Sequence, residues 1–261
     1  MSFLRVLVIG GITSYRALFG WISPWVFFPM VITFPVFEIL FFAYLGRAAG
    51  VESDEFFLIG NAFMAIAVTG MFGMGHSVAG ERRSQTLASI LATPANRLAL
   101  FLGRALPAVV TGAVVAAIAF AVGATVLGVE VGREEIARLG VAVLVTSFAC
   151  TALGLCLGAL GLRGRNVSLF ADMIAGSMLI VSGANVPLEQ LPDWVQTLSS
   201  VIPLTHGIAA ARELAAGASL GDVSDLLAAE LAIGAVLLVV GLALLRVFEW
   251  DGRRSATLET S

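Results

Sequence analysis

Long apolar runs alternate with short polar segments along most of this 261-residue chain. Each run is near the ~20 residues that a helix needs to cross a bilayer. The pattern therefore predicts six membrane-spanning helices, at 24–46, 56–79, 98–128, 136–161, 167–187 and 224–247. Pro29 and Pro107 lie inside two of these runs and predict kinks, because neighbouring helices can satisfy the freed carbonyl groups. No linker or internal repeat divides the chain, so we expect a single all-α integral membrane domain over residues 1–261.

The first 22 residues differ from these runs because arginine and aromatic residues interrupt the aliphatic ones. Arg5 and Trp21 suit the headgroup level of a membrane, whereas Gly10 and Gly11 weaken the segment as a spanning helix. We expect residues 1–22 to form an N-terminal interfacial helix along the cytoplasmic surface. A poor transmembrane helix is the alternative.

The segment before the last apolar run is too polar for a span and too apolar for a plain loop. Apolar side chains recur in it at spacings of three and four up to Pro203, which indicates an amphipathic helix that ends at that proline. A second apolar run follows, from Ile208 to Leu214. We expect an external re-entrant helical hairpin over 188–212, because non-helical backbone survives at membrane depth only when protein buries it. Two helices lying flat on the outer surface are the alternative.

A short polar island separates the second and third apolar runs. Glu81, Arg82 and Arg83 open it, an apolar stripe at i, i+3 and i+4 starts at Leu87, and Pro94 ends it. A helix this short cannot cross a bilayer, so we expect it to lie at the membrane surface. An ordinary charged loop is the alternative.

Composition supports the membrane assignment. Apolar residues make up 59% and charged residues 13% of the chain, and the mean hydropathy is +0.97. Soluble domains have about 45–50% apolar and about 25% charged residues. The net charge of −3 argues against a nucleic-acid partner, which would favour a clustered basic face. All 15 basic residues are arginine, and a phosphate-binding P-loop needs a lysine, so this chain cannot supply such a loop.

The arginines are divided unequally between the two sides of the predicted topology. With the N-terminus inside, only Arg47, Arg133, Arg138 and Arg212 lie in outer segments, and the other eleven of the 15 lie on the inner side. Cytoplasmic segments of membrane proteins carry such an excess of positive charge. We therefore expect both termini and the polar island to face the cytoplasm.

Two carboxylates inside apolar segments are candidates for a functional role. Glu38 lies in the first predicted span and Asp172 in the fifth. A carboxylate at the bilayer centre costs at least ~2.5 kcal/mol, so it usually faces a cavity or a partner. The structural alternatives are a hydrogen bond to a neighbouring helix for Glu38 and a pair with Arg163 or Arg165 for Asp172. His206 is a proton-sensitive candidate in the hairpin, but the sequence shows no metal-ligand set and no nucleophile–base pair, so we expect no catalysis in this chain.

Two blocks of residues resemble the type-2 ABC transporter permeases, the family that includes the nodulation-protein-J and daunorubicin-resistance permeases. The first resembles the family's cytoplasmic coupling helix, here at 81–94, and consists of Glu81, Arg82, Arg83, Thr86, Leu87, Ile90, Leu91, Thr93, Pro94 and Arg97, with Leu102, Gly103 and Arg104 behind them. The second resembles the external hairpin and consists of Leu191, Pro192, Trp194, Pro203, Leu204, Thr205, His206 and Arg212. The family's usual glycine and acid in the first block are Gln85 and Ala88 here.

The resemblance implies the permease subunit of an exporter, without an ATPase site of its own. A separate ABC ATPase would carry ATP and Mg, so this chain would hold no cofactor, and a second permease subunit, identical or related, would complete the transport route. The cargo would be an amphipathic drug, natural product, lipid or lipid-linked saccharide. The residues implied in contact with the ATPase are Glu81, Arg82, Arg83, Thr86, Leu87 and Pro94.

The resemblance also places the route between the first, second and fifth spans of both halves. Glu38 and Asp172 would line this route, and the hairpin with Trp194, Pro203 and His206 would cap it. We expect the inner membrane of a bacterium as the location, with membrane lipid around the spans. A non-ATP secondary transporter or a structural membrane subunit is the alternative, although a secondary transporter usually has matching halves and several ionisable groups within the membrane.

Overall fold

The computed structural model describes residue 11 and residues 24–83, 97–161 and 167–255. Within these ranges it contains eight α-helices and no strand, which confirms the all-α prediction. A 3₁₀ turn, Leu188–Gln190, lies between the fifth and sixth helices. In chain order the helices are α1 (Pro24–Ala49), α2 (Asp54–Arg83), α3 (Arg97–Leu127), α4 (Arg133–Gly161), α5 (Val167–Val181), α6 (Asp193–Ser199), α7 (Thr205–Ala215) and α8 (Ser224–Ser255).

Five of the described helices, α1 to α4 and α8, are long and apolar enough to cross a membrane. They correspond to five of the six predicted spans. The fifth predicted span, 167–187, is shorter in the structure, because α5 ends at Val181. Its 15 residues are about 22 Å long, against ~30 Å for the hydrocarbon core of a bilayer. The helix stops there because the chain turns at Gly183, whose φ of 80° is a left-handed conformation that favours glycine.

Helices α2 and α4 form the centre of the bundle. Of the residues in the spanning part of α2, 72% are buried, against 22% in that of α1. Gly154 allows α4 to lie directly on the backbone of α2, since a Cβ at this position would be 2.7 Å from the carbonyl oxygen of Gly70. Helices α1, α3 and α5 pack around α2, and α8 packs along α4.

The connections 50–53 and 128–132 meet the segment 182–223 at one end of the bundle. Arg47, near the end of α1, forms an ion pair with Asp54 and donates to the carbonyl oxygen of Leu127 at 3.5 Å. Arg138 on α4 donates to the carbonyl oxygen of Ala218 at 3.1 Å. We call this end of the bundle the hairpin end.

The predicted surface helices fall largely outside the described residues. The interfacial helix 1–22 is outside them except for residue 11, and so are Thr86, Leu87 and Pro94 of the predicted coupling helix. Its first three residues, 81–83, are described as part of α2, and the rest of the predicted coupling helix lies outside the described residues. No proline interrupts α2, so the chain continues as a helix past the end of its apolar part.

Candidate functional site

Helix α7, the second helix of the hairpin, is built into the protein. It packs against α2, α4 and α8. Its side chains Ile208, Ala211 and Leu214 recur every three residues and are fully buried. Gly207 permits the contact with α4, because a Cβ there would lie 2.0 Å from the Oγ1 atom of Thr146. The second half of the predicted hairpin is thus a packed core element.

Helix α6, the first helix of the hairpin, lies at the periphery. Val195 and Ser199 face inward, and the Ser199 hydroxyl donates to the carbonyl oxygen of Val181 at the end of α5, at 2.5 Å. Trp194 is 71% exposed and Leu198 is also exposed. The outward face of α6 therefore carries two large apolar side chains beside the exposed polar residues Asp193 and Thr197.

The junction between α6 and α7 has an unusual backbone at Leu204. Its φ is 96°, the one positive φ of a non-glycine residue in the described part of the chain. Such a conformation is sterically disfavoured for leucine. A leucine at the position before a helix also cannot accept hydrogen bonds from the first amides of the helix, as serine or aspartate would.

Glu230 of α8 supplies the acceptors that Leu204 lacks. The amide of Leu204 donates to Oε1 of Glu230 at 2.6 Å, and the amide of Gly207 donates to Oε2 at 3.2 Å. The Glu230 side chain is fully buried. A carboxylate on the last span therefore caps the N-terminus of the hairpin helix, where the helix dipole favours negative charge.

Glu230 is not among the site residues predicted from the sequence, although it shares with Glu38 and Asp172 the position of an acid inside an apolar run. Glu230 lies inside the predicted sixth span, so its position as an acid within an apolar run could have identified it from the sequence. Its partners precede it by 26 and 23 residues, and no spacing pattern links them.

Arg212 holds the opposite end of α7. Its Nη2 atom donates to the carbonyl oxygens of Phe56, at 3.2 Å, and Ala184, at 3.1 Å. The guanidinium also lies 3.5 Å from the centre of the Phe56 ring, a cation–π contact. Burial lowers the pKa of the Arg212 guanidinium to about 10, although the carboxylates of Glu52 and Glu189 act in the opposite direction. The side chain therefore stays cationic at neutral pH and joins α7 to the ends of α2 and α5.

A buried amide pair adds a second link between α2 and the turn after α5. The Nδ2 atom of Asn61 donates to Oδ1 of Asn185 at 2.8 Å and to the carbonyl oxygen of Phe57, also at 2.8 Å. Asn61 is fully buried. The turn that ends α5 is thus fixed to α2 by Asn61 and to α7 by Arg212.

The three predicted hairpin residues occupy different environments. Pro203 is buried directly before Leu204, and Nε2 of His206 lies 2.9 Å from the carbonyl oxygen of Ser200. These two residues flank the Glu230 contact, whereas Trp194 points away from the bundle.

Glu38 and Asp172 lie on α1 and α5, two helices that both pack against α2. Glu38 is half-buried beside the exposed rings of Phe37 and Phe41, and Asp172 is exposed beside Met173. Neither carboxylate forms a hydrogen bond or ion pair with another described residue. No cluster of three or more His, Cys, Asp and Glu side chains suited to a metal occurs in the described ranges.

The comparison with protein families decides the class of this helical bundle. Residues 7–215 match the family described as ABC-2 type transporter, and the match includes α1 to α7. The chain belongs to the ABC-2 type transporter family. The resemblance inferred from the coupling and hairpin motifs is therefore confirmed at the level of the family, and the five long apolar helices agree with a multi-pass membrane protein.

Two curated relatives of this ABC-2 family member carry the name "Probable multidrug ABC transporter permease YbhR", one from Escherichia coli strain K12 and one from Escherichia coli O157:H7. Each is 24% identical to the chain over 153 residues. The aligned part is 58% of this chain and 41% of the relative, so the chain spans less than half the length of these relatives.

Proposed function

We propose that this ABC-2 family member is the membrane-spanning permease subunit of an ATP-driven exporter. The observation that carries the proposal is the family match over residues 7–215. The cargo class is an amphipathic drug, natural product, lipid or lipid-linked saccharide, and the multidrug name of the two relatives supports the first of these. ATP and Mg belong to a separate ABC ATPase, and this chain holds no cofactor.

The ATPase would bind at the end of the bundle opposite the hairpin end. Helix α2 runs from Asp54 at the hairpin end to Arg83, so it presents Glu81, Arg82 and Arg83 at the opposite end. In the topology predicted from the sequence, eleven of the 15 arginines lie on that side, which favours a cytoplasmic location for it and for both termini. The membrane is then the inner membrane of a bacterium.

The transport route would lie along α1 and α5, between this chain and a second permease subunit. Both helices keep large apolar side chains exposed, such as Phe37 on α1 and Met173 on α5, and each places one carboxylate among them. Neither carboxylate has a partner among the described residues, and an unpaired carboxylate is costly against lipid. Glu38 and Asp172 therefore favour a hydrated surface shared with a second copy or a related subunit.

Export of ethidium, an amphipathic cationic dye, into inside-out membrane vesicles tests this proposal. The vesicles contain the chain and the ATPase that co-purifies with it. We expect uptake that requires ATP, is abolished when the P-loop lysine of the ATPase is replaced, and persists with a protonophore. Uptake that a protonophore abolishes and that does not need ATP would instead indicate a secondary transporter.

Charge reversal at Arg82 and Arg83 tests the ATPase contact. We expect Arg82→Glu combined with Arg83→Glu to prevent assembly with the ATPase or to uncouple ATP hydrolysis from export. Arg246→Glu is the matched control, because Arg246 is an exposed arginine on α8, outside the coupling segment. Normal assembly and export in the double variant would contradict the assignment of residues 81–83.

A further inference from the structure

The Glu230 carboxylate connects α8 to α7, although no spacing pattern in the sequence links these two helices. It lies seven residues into α8 and reaches the N-terminus of α7 through two hydrogen bonds to backbone amides. Both oxygens of the carboxylate are used, and the side chain has no exposed surface. Two hydrogen bonds to one buried carboxylate fix the position of α7 relative to α8, because moving either helix would leave the carboxylate without its donors.

The residues around the junction give α7 no cap of its own. Neither Pro203 nor Leu204 has a side-chain acceptor for the first amides of the helix, and Leu204 forms no side-chain cap. Leu204 also holds a φ of 96°, while its side chain is completely buried. A strained backbone of this kind persists only where its surroundings fix it, and Glu230 is the side chain bound to the Leu204 amide.

The two ends of α7 differ in the helices that hold them. At its N-terminus the contact is to α8 through Glu230, and it is fully buried. Near its C-terminus Arg212 contacts the ends of α2 and α5, and this side chain is only partly buried. Movement of α8 relative to α2 therefore has to change one of these two sets of hydrogen bonds.

We propose that Glu230 is a positioning residue that joins α7 to α8, so that the hairpin helix follows the last span as one rigid unit. Relative movement between this unit and the α2–α5 pair then occurs at the Arg212 contacts. The consequence for transport rests on the proposed function: the hairpin would open or close the outer end of the route when the last span moves.

Amide hydrogen exchange of the full chain in lipid nanodiscs tests the link without the ATPase. The variants are Glu230→Gln, which keeps size and one acceptor oxygen, and Glu230→Leu, which removes both acceptors. Asp225→Asn is the matched control, an exposed carboxylate five residues earlier on α8. We expect amide exchange of residues 204–208 to accelerate by about tenfold or more in Glu230→Leu, by less in Glu230→Gln, and not in Asp225→Asn.

Protection of the α2 core distinguishes a local link from general folding. We expect residues 57–67 of α2 to keep their exchange rates in Glu230→Gln, whose side chain fills the same volume. Unchanged exchange at 204–208 in both Glu230 variants would overturn the inference. Equal loss of protection at 204–208 and 57–67 in Glu230→Gln would also overturn it, since Glu230 would then support the whole fold rather than the hairpin.

The ratio of ethidium exported to ATP hydrolysed measures the consequence for transport. In complexes that assemble, we expect this ratio to fall in Glu230→Leu and to recover partly in Glu230→Gln, while Asp225→Asn is unaffected. Normal ratios in both Glu230 variants would contradict a role in coupling. Absence of ATP-driven export in the unaltered complex would overturn the proposed function. The hydrogen-exchange result on the chain without the ATPase would still test the link between α7 and α8.

Discussion

The central pair of helices and the outer pair use their apolar residues in opposite ways. In α2 and α4, small residues bring the two backbones together, as Gly154 does against Gly70. In α1 and α5, large side chains such as Phe37 and Met173 remain exposed. Helices of similar hydropathy thus pack internally in one pair and form an outward surface in the other. The burial of their side chains distinguishes the two pairs, whereas their composition does not.

This difference indicates where substitutions act on the fold and where they act on transport. A change in the central pair alters contacts between backbones that cannot move apart without opening the bundle. A change on the outer faces of α1 and α5 is expected to preserve the fold of the chain and to alter what that surface contacts.

Gly154→Ala breaks the central pair directly. The new Cβ would lie within 3.0 Å of the backbone of both Gly70 and Met71, so we expect a destabilisation of about 3 kcal/mol. Gly140→Ala is the control on the same helix, because a Cβ there has no atom within 4 Å, and helix propensity makes it stabilising by up to about 1 kcal/mol. Unfolding by SDS in mixed micelles measures both, and equal effects would contradict the close packing of α2 on α4.

Arg212→Gln weakens the link between the hairpin and the ends of the central and outer pairs. It removes the cation–π contact with Phe56 and at least one hydrogen bond, so we expect a loss of about 1–3 kcal/mol in the same assay. Arg138→Gln, which loses a contact to Ala218 and an exposed ion pair, should cost less, at most about 1 kcal/mol.

The pH dependence of the Arg212→Gln effect checks the charge of this group. With a pKa of about 10 in the folded protein and a higher pKa when unfolded, Arg212 keeps its proton in both states below about pH 9. The difference between the parent and the variant should therefore be constant from pH 6 to pH 9. In the parent, stability should begin to rise relative to the variant only above pH 10, because the unfolded state then binds more protons.

Cysteine labelling separates the two halves of the hairpin. Trp194 on α6 is 71% exposed and Thr205 on α7 is 4% exposed. We expect Trp194→Cys to react with an impermeant thiol reagent about tenfold faster than Thr205→Cys, and only from outside the cell. Labelling of Trp194→Cys from the cytoplasmic side alone would reverse the proposed orientation.

Glu38 gives the smallest effect on stability and the sharpest test of the outer surface. We expect Glu38→Gln and Glu38→Leu to change the free energy of unfolding by no more than about 0.5 kcal/mol, because Glu38 has no partner among the described residues. Both should alter ethidium export in complexes that assemble and hydrolyse ATP. Glu130→Gln, an exposed control, should not. Export at the parent rate in both Glu38 variants would remove Glu38 from the route, and failure of both to assemble would make it structural.

The positions of the spans were predictable because a run of ~20 apolar residues, in a chain of this composition, can form few structures other than a membrane-spanning helix. The end of the fifth was not, since Gly183 lies inside an apolar run and its turn becomes visible only in the backbone. The helical period of the hairpin was also predictable, but its orientation was not. Trp194 and Val195 both fit the apolar repeat, and tertiary packing buries Val195 and exposes Trp194.

The family motifs located the hairpin and Arg212, whereas the contacts that fix the hairpin come from outside those motifs. Glu230 and Asn61 are buried polar residues in apolar helices, and their partners are distant in sequence. Such pairs follow from how helices pack against one another, which a single sequence does not specify. The predicted roles of Glu38, Asp172 and the coupling segment remain predictions.

The separation of Leu204 from Glu230 also sets an order of events during synthesis. Leu204 leaves the ribosome 26 residues before the carboxylate that binds its amide, and the intervening chain includes the start of the last span. Helix α7 therefore emerges without its cap and cannot reach its final geometry until α8 has entered the membrane beside it. A nascent chain that stops before Glu230 would contain both helices of the hairpin, α6 and α7, and still lack the group that fixes their junction. The final span thus completes the biogenesis of a segment made earlier.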